Sequence, residues 1–410
     1  MSSNTATSSQ KSIGFVEFLI LAASLMACQA LAIDAMLPAL PTIAEALHVD
    51  NANHVQWVVT AYVAGMGSGQ LFWGMLSDRF GRRPILITGL TLYVIAALLA
   101  GYANSFTSLL SWRFVHGLAG ACVVVSRSVI RDLYSGRQMA RVMSLTFIIF
   151  IMVPVMAPTL GQVILHLWPW RSLFILFGIY GAIVVTWVAL RLPETLHPEY
   201  RLSLTVSHVL QSAKRVINNR ASVCYTLAVS VIFGSMIGYI GMVQQIFSDV
   251  FQRPALMPTI FAICAGSMGV TSFINSRIVE RIGMRRVSHT GLLIFITLSG
   301  AHALFAAAGL ETMISFVVLQ AATMSCMGLM VSNFGTMAME SMASVAGIAA
   351  SFQGFVSTAG GALVGALIGR QFNGSTAPLA MGAAVCGCIA LLCVLIAERG
   401  QLFRPHSTAG

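Results

Sequence analysis

Apolar stretches of roughly 20 residues recur along the whole chain, separated by short clusters of turn-forming and charged residues. A bilayer core is crossed by about 20 apolar helical residues, so each stretch predicts a membrane-spanning helix. The stretches lie near 15–40, 55–77, 84–102, 107–130, 143–166 and 171–190, then near 222–245, 257–279, 288–308, 312–337, 345–369 and 377–397. Twelve crossings put both termini on one side. The pattern therefore predicts an all-α membrane protein of two six-helix bundles. The expected boundaries are a tail over 1–12, a bundle over 13–191, a linker over 192–220, a second bundle over 221–398 and a tail over 399–410. Within the linker, Val206, Val209, Leu210, Ala213 and Ile217 recur at helical spacing beside Lys214, Arg215 and Arg220. That predicts an amphipathic helix lying on an anionic membrane surface.

Charge then orients the bundles. Lys11, Arg79, Arg82, Arg83, Arg131, Arg137, Arg141, Arg277, Arg281, Arg285 and Arg286 all fall on the side of the termini, together with Arg191, Arg201, Lys214, Arg215, Arg220, Arg399 and Arg404, whereas Arg171, Arg253 and Arg370 fall opposite. By the positive-inside rule both termini are expected in the cytoplasm, and the chain in a bacterial inner membrane. Only 9% of residues are charged and mean hydropathy is +0.84, which leaves no room for a sizeable soluble domain. The net charge of +10 does not point to nucleic acid, because the arginines sit between apolar stretches rather than on a soluble basic face. Eight cysteines fall inside apolar stretches without a C-x-x-C pair, so free buried thiols are expected. The first apolar stretch is too long for a signal h-region and reads as a retained helix. No phosphate-binding G-x-x-x-x-G-K-[ST] loop and no H-E-x-x-H pair occurs; Gly65, Gly67 and Gly69 read as packing glycines. Neither an ATP-driven pump nor an enzyme is expected, and no metal or other cofactor.

The halves repeat. Gly74, Asp78, Arg79, Gly81, Arg82 and Arg83 follow the second helix; Ser276, Glu280, Arg281, Gly283, Met284 and Arg285 follow the eighth in the same order and spacing. Two copies in equivalent loops imply duplicated six-helix units. The segment Gly74-Met-Leu-Ser-Asp78-Arg79-Phe-Gly81-Arg82-Arg83-Pro84 resembles the signature loop between helices 2 and 3 of the major facilitator superfamily. Leu109-Leu-Ser-Trp-Arg113-Phe-Val-His-Gly117 resembles that family's helix-4 motif, with His116 where glutamine is usual. Ala157-Pro158-Thr-Leu-Gly161-Gln162 resembles the helix-5 motif of its antiporters, with Val153, Ala157 and Gln162 where more glycines are usual. Three further segments are similar to the bicyclomycin and chloramphenicol resistance branch: Ala32-Ile-Asp34-Ala-Met-Leu-Pro38-Ala-Leu-Pro41, Arg131-Asp132-Leu-Tyr134-Ser-Gly136 and Leu192-Pro193-Glu194-Thr195-Leu196. The resemblance implies a monomeric drug exporter driven by protons through alternating access, with a small-molecule substrate, protons and the lipid bilayer as partners. A proton-coupled importer or a metabolite exporter of the same fold is the alternative.

The chemistry centres on Asp34, the one acid deep in the first half's apolar stretches; Glu17 lies near the start of helix 1 and can reach the interface. A carboxylate within hydrocarbon costs about 2.5 to 3.5 kcal/mol on insertion scales, so it needs a cation, a proton or water. Arg113 is the expected partner, since both residues lie roughly 10 Å from the far ends of their helices at 1.5 Å per residue. A static pair is the alternative. His116 shares the face of Arg113 and joins the proton-coupling candidates, a satisfied core histidine being its alternative. Arg127 either lines a vestibule or snorkels to headgroups. In the repeated loop, Asp78 sits at its helix's C-terminal end, which the macrodipole disfavours, so something must compensate it; Arg79, Arg82 and Asp132 are expected within reach of such a network, with Arg83 beside them in the loop as a gating candidate. Gly74 and Gly81 shape that loop, and the start of helix 11 near Ser344 is a further candidate contact for the gate. Pro154, Pro158 and Gly161 predict a kink in helix 5, and Gly361, Gly365 and Gly369 a packing stripe on helix 11. Gln29, Tyr62, Tyr239, Gln245, Asn333 and Gln353, with Asp34, Arg113 and Arg127, are the expected substrate lining. So thin a polar set suits moderately hydrophobic molecules better than sugars.

Overall fold

The computed structural model describes residues 13–134, 136–197, 199, 206–342 and 346–403. Expectations that rest on the first tail with Lys11, on Arg201, on Ser344 and on most of the second tail lie outside the described residues.

The first bundle runs α1 (Phe15–Asp34), α2 (Leu40–Ala46), α3 (Trp57–Phe80), α4 (Arg82–Gly101), α5 (Phe106–Gly120), α6 (Val125–Leu133), α7 (Gly136–Leu167) and α8 (Arg171–Arg191). After α9 (Val206–Ile217), the second runs α10 (Arg220–Gln245), α11 (Met257–Ile282), α12 (Met284–Ala307), α13 (Met313–Met339), α14 (Ala346–Gly369) and α15 (Ala377–Ala397). These make the twelve crossings of two pseudo-symmetric six-helix bundles. Ten spans are long and apolar enough by themselves; α3, diluted by Thr60, Gln70, Ser77, Asp78 and Arg79, and α7 complete the set.

Two crossings are broken, for local reasons. Pro38 and Pro41 lack the N–H groups that would carry α1 onward, so α1 stops at Asp34 and a short 3-10 turn leads into α2. The fourth crossing changes to a 3-10 turn over Ala121–Val124, between α5 and α6. Elsewhere small residues set helix spacing. A Cβ on Gly117 would lie 1.9 Å from the Tyr62 carbonyl oxygen, and one on Gly65 2.0 Å from that of Phe114, so α3 and α5 touch backbone to backbone. Gly67 meets Ala359 of α14 in the same way, and Gly361 and Gly365 bring α14 onto α10.

The bundles meet along α3 with α14 and along α7 with α11. Ile179, Ile183, Leu190, Leu363, Val385 and Leu392 project outward uncovered, which is tolerable only against lipid. Among the described side chains of the linker helix, Val216 is buried against Met342 and Ala349 and Ile217 is 55% exposed, while the expectations on Val206, Val209 and Leu210 lie outside the described side chains.

Candidate functional site

Asp34 is the last residue of α1 and 4% exposed. Among the described residues its carboxyl makes no hydrogen bond and no ion pair, and its oxygens are not among the fully sealed orphan atoms. It sits where a helix terminus presents unpaired carbonyls and the negative end of the dipole, so the fold supplies nothing that favours a carboxylate there. The expected Asp34–Arg113 ion pair is not formed. Arg113, fully buried, instead donates through Nη2 to the Ala32 carbonyl (3.0 Å) and through Nε to that of Val58 (3.0 Å). Its Nη1 reaches His116 Nδ1 at 3.3 Å, and its guanidinium lies 4.5 Å from the Tyr62 ring centroid. The broken end of α1 competes for the cation: Ala32 offers one of the terminal carbonyls that α1 cannot satisfy internally. His116 is enclosed by Tyr62, Tyr93 and Phe177 with Nε2 unpartnered. A ring that accepts at Nδ1 is neutral and carries its hydrogen on Nε2.

The expected lining separates into several groups. Gln29 is half-buried and donates to the Gly120 carbonyl at 3.1 Å. Arg127, on α6, is exposed. Tyr62 and Tyr239 are buried with unpartnered hydroxyls. Gln353 is half-buried and bonded to the Gly335 carbonyl. Asn333 is 4% exposed and ties α13 to Asn275 of α11 at 2.9 Å, which occupies it inside the second bundle.

Gln245 belongs to a seal at the end opposite the termini. Gln56 Nε2 donates to Gln245 Oε1 (2.5 Å) and to the Gly369 carbonyl (3.3 Å), Gln245 Nε2 donates to Asn53 Oδ1 (3.2 Å), and Asn53 Nδ2 donates to the carbonyls of Arg370 (3.2 Å) and Phe372 (2.8 Å). Gln162 of α7 adds a bond to the Pro254 carbonyl at 3.3 Å. Gly161, one residue earlier, lets α7 touch the Ala35 carbonyl beside Asp34. Among the described residues, the last hydrogen bond between bundles toward the termini is Gln70 to Thr358, and every ion pair stays within one bundle. The far end is shut. Asn53 and Gln56 escaped sequence reading because neutral amides at helix starts carry no pattern of their own.

The repeated loop forms a compact network. Buried Arg82 reaches Asp78 (2.5 Å), Ser77 (2.7 Å) and Asp132 (3.0 Å), so the expected compensation of Asp78 is present. Arg79 stays outside it, exposed over the Phe80 ring, and Arg83 donates to the Ala189 carbonyl. Glu194 is the unforeseen member: its carboxylate accepts from the backbone N–H groups of Arg82 (2.9 Å) and Arg83 (3.3 Å), capping α4 from the start of the linker. Thr195 adds a bond to Asp132. Gly74 brings Ser351 of α14 into contact distance.

A family model described as Major Facilitator Superfamily matches residues 22–366. The chain is 29% identical over 368 residues to a "Bicyclomycin resistance protein homolog" of Haemophilus influenzae, covering 88% of this chain and 90% of that protein. It is 31% identical over 359 residues to the "Uncharacterized MFS-type transporter YdgK" of Bacillus subtilis, covering 86% and 87%. Over 180 residues it is 39% identical to the "Multidrug resistance protein MdtL" of Shigella dysenteriae, covering 43% and 46%. Among solved structures, the xylose transporter XylE from E. coli in a partially occluded inward-open conformation superposes with TM-score 0.71 at 13% identity, covering 96% of this chain and 98% of that one. At that identity the likeness concerns the fold alone.

Proposed function

Because the chain belongs to the major facilitator superfamily, we propose that this transporter exports small, moderately hydrophobic compounds, antibiotics among them, in exchange for protons by alternating access. Its place is a bacterial inner membrane with both termini in the cytoplasm. The names of the relatives that resist bicyclomycin or several drugs support the substrate class. The observation that carries the coupling is the solitary Asp34 carboxyl at the end of a broken helix, unserved by Arg113.

In this reading the closed far end makes the described state inward-facing. A carboxylate at Asp34 is uncompensated there, and either a proton or a cationic group of the substrate removes the cost. Mutual exclusion at one acid is what exchange requires. Arg113 holds the terminal carbonyl of α1 and is released toward Asp34 if α1 straightens during rocking; His116 serves as the acceptor that orients it. Arg127 and Gln29 face the entering substrate. The Arg82 network and the amides around Gln56 are the gates at the two ends.

The test is drug flux in everted membrane vesicles with an imposed pH gradient. Proton release on drug addition is expected from the parent protein, and Asp34→Asn should lose pH-driven flux while inserting normally. Full coupling in Asp34→Asn would overturn the assignment of the acid, and cotransport of drug and proton in the same direction would make the protein an importer.

A further inference from the structure

At the termini-side end of the second bundle, a groove of about 460 Å³ opens on the lipid-facing surface. Ile278 and Ile282 of α11, Val287 of α12, Leu329 of α13 and Phe403 form its apolar walls, and Arg286 and Thr290 of α12 line it with them. Arg286 is exposed, and among the described residues it has no carboxylate within ion-pair distance. Its neighbour Arg285 is consumed internally, by Glu340 at 3.1 Å and Glu398 at 2.7 Å. The two adjacent arginines therefore have different fates. In the first copy of the repeated loop Pro84 occupies the equivalent position, and Arg83 bonds to the Ala189 carbonyl. At this position the free cation belongs to the second copy.

The wall supplied by Phe403 is fixed in place. Its N–H donates to His289 Nδ1 at 3.2 Å, and its ring stands edge-on to that imidazole at 5.7 Å. Its φ of +66° is one that a non-glycine residue keeps only when its surroundings hold it. Arg277 and Arg281 against Glu280 leave the nearby end of α11 positive as well.

We propose that this groove is a binding site for an anionic phospholipid, with an acyl chain between α11 and α12 and the phosphate on Arg286. A bare phosphate would have no use for the apolar walls, and a zwitterionic lipid, whose phosphate is offset by its own ammonium group, gains less from the unpaired cation than a lipid of net negative charge. Anionic headgroups and apolar tails occur together in the inner leaflet, where the proposed orientation puts this end. The direction of transport does not enter the argument, and the test reads lipid retention rather than flux.

The experiment uses the full chain in detergent, with retained lipid measured by native mass spectrometry and thermal unfolding followed with added phosphatidylglycerol or phosphatidylcholine. Phosphatidylglycerol should be retained in preference and should raise the unfolding temperature. Arg286→Gln should weaken that retention about tenfold, as expected for one lost charge-assisted hydrogen bond. Thr290→Trp, which fills the groove and keeps the charge, should lose retention too, whereas Arg253→Gln at the opposite end should leave it intact. Unchanged retention in both groove variants would overturn the proposal. So would inorganic phosphate that displaces the lipid or reproduces its stabilisation, or a second copy of the chain masking the groove.

Discussion

Arg113 illustrates how a buried cation chooses among acceptors. A charged group in an apolar interior must be hydrogen-bonded, and three donors of one planar fork here meet two carbonyls and an imidazole. Sequence depth placed Arg113 and Asp34 at the same level but could not foresee that α1 would end there and expose Ala32 as a competitor. Lysine carries one compact charge and cannot serve carbonyls on α1 and α3 together. Arg113→Lys is therefore expected to insert and fold with a loss of about 2 kcal/mol, the order of one buried hydrogen bond to a charged group. Its drug efflux should fall well below that of the parent. Efflux equal to the parent would show that the carbonyl bonds are incidental.

At the scale of elements, α4 begins with a cap supplied from more than a hundred residues away. The sequence pointed to Asp78, Arg82 and Asp132, because a carboxylate at a helix C-terminus demands a cation. It offered Glu194 only as part of a family pattern; nothing local links the end of α8 to the start of α4. Gly81 makes the junction possible. Its φ of +103° suits glycine, and a Cβ there would lie 2.4 Å from Glu194 Oε2. Gly81→Ala should destabilise the first bundle by about 1 to 3 kcal/mol through backbone strain, measurable as earlier unfolding in SDS. Glu194→Gln removes the charge from the helix start and should cost about 0.5 to 2 kcal/mol. An unaltered unfolding curve in both would deny the cap any structural weight.

For the molecule as a whole, the far-end amides set how the bundles meet. Each neutral hydrogen bond contributes about 1 kcal/mol net, so a handful hold the closed end without making it irreversible. Cysteines at Asn53 and Phe372 bridged by a short cross-linker should trap this end shut. Drug flux should then fall to background and return when a cleavable linker is cut. Flux that persists with the linker in place would mean that this end does not open during transport.

Hydrophobic periodicity alone determined the twelve crossings and the two bundles, because a bilayer accepts backbone only when its polar groups are satisfied within the segment. Composition excluded a soluble domain, and single-residue physics singled out Asp34 and the loop at Asp78. Only the tertiary structure decided which polar side chains are free. It assigned Gln245 to a seal and Asn333 to an internal tie, and took Arg113 from Asp34 for a carbonyl. Those outcomes depend on which partners reach each group across helices distant in sequence, and a polar atom buried in hydrocarbon takes whichever partner the packing brings nearest.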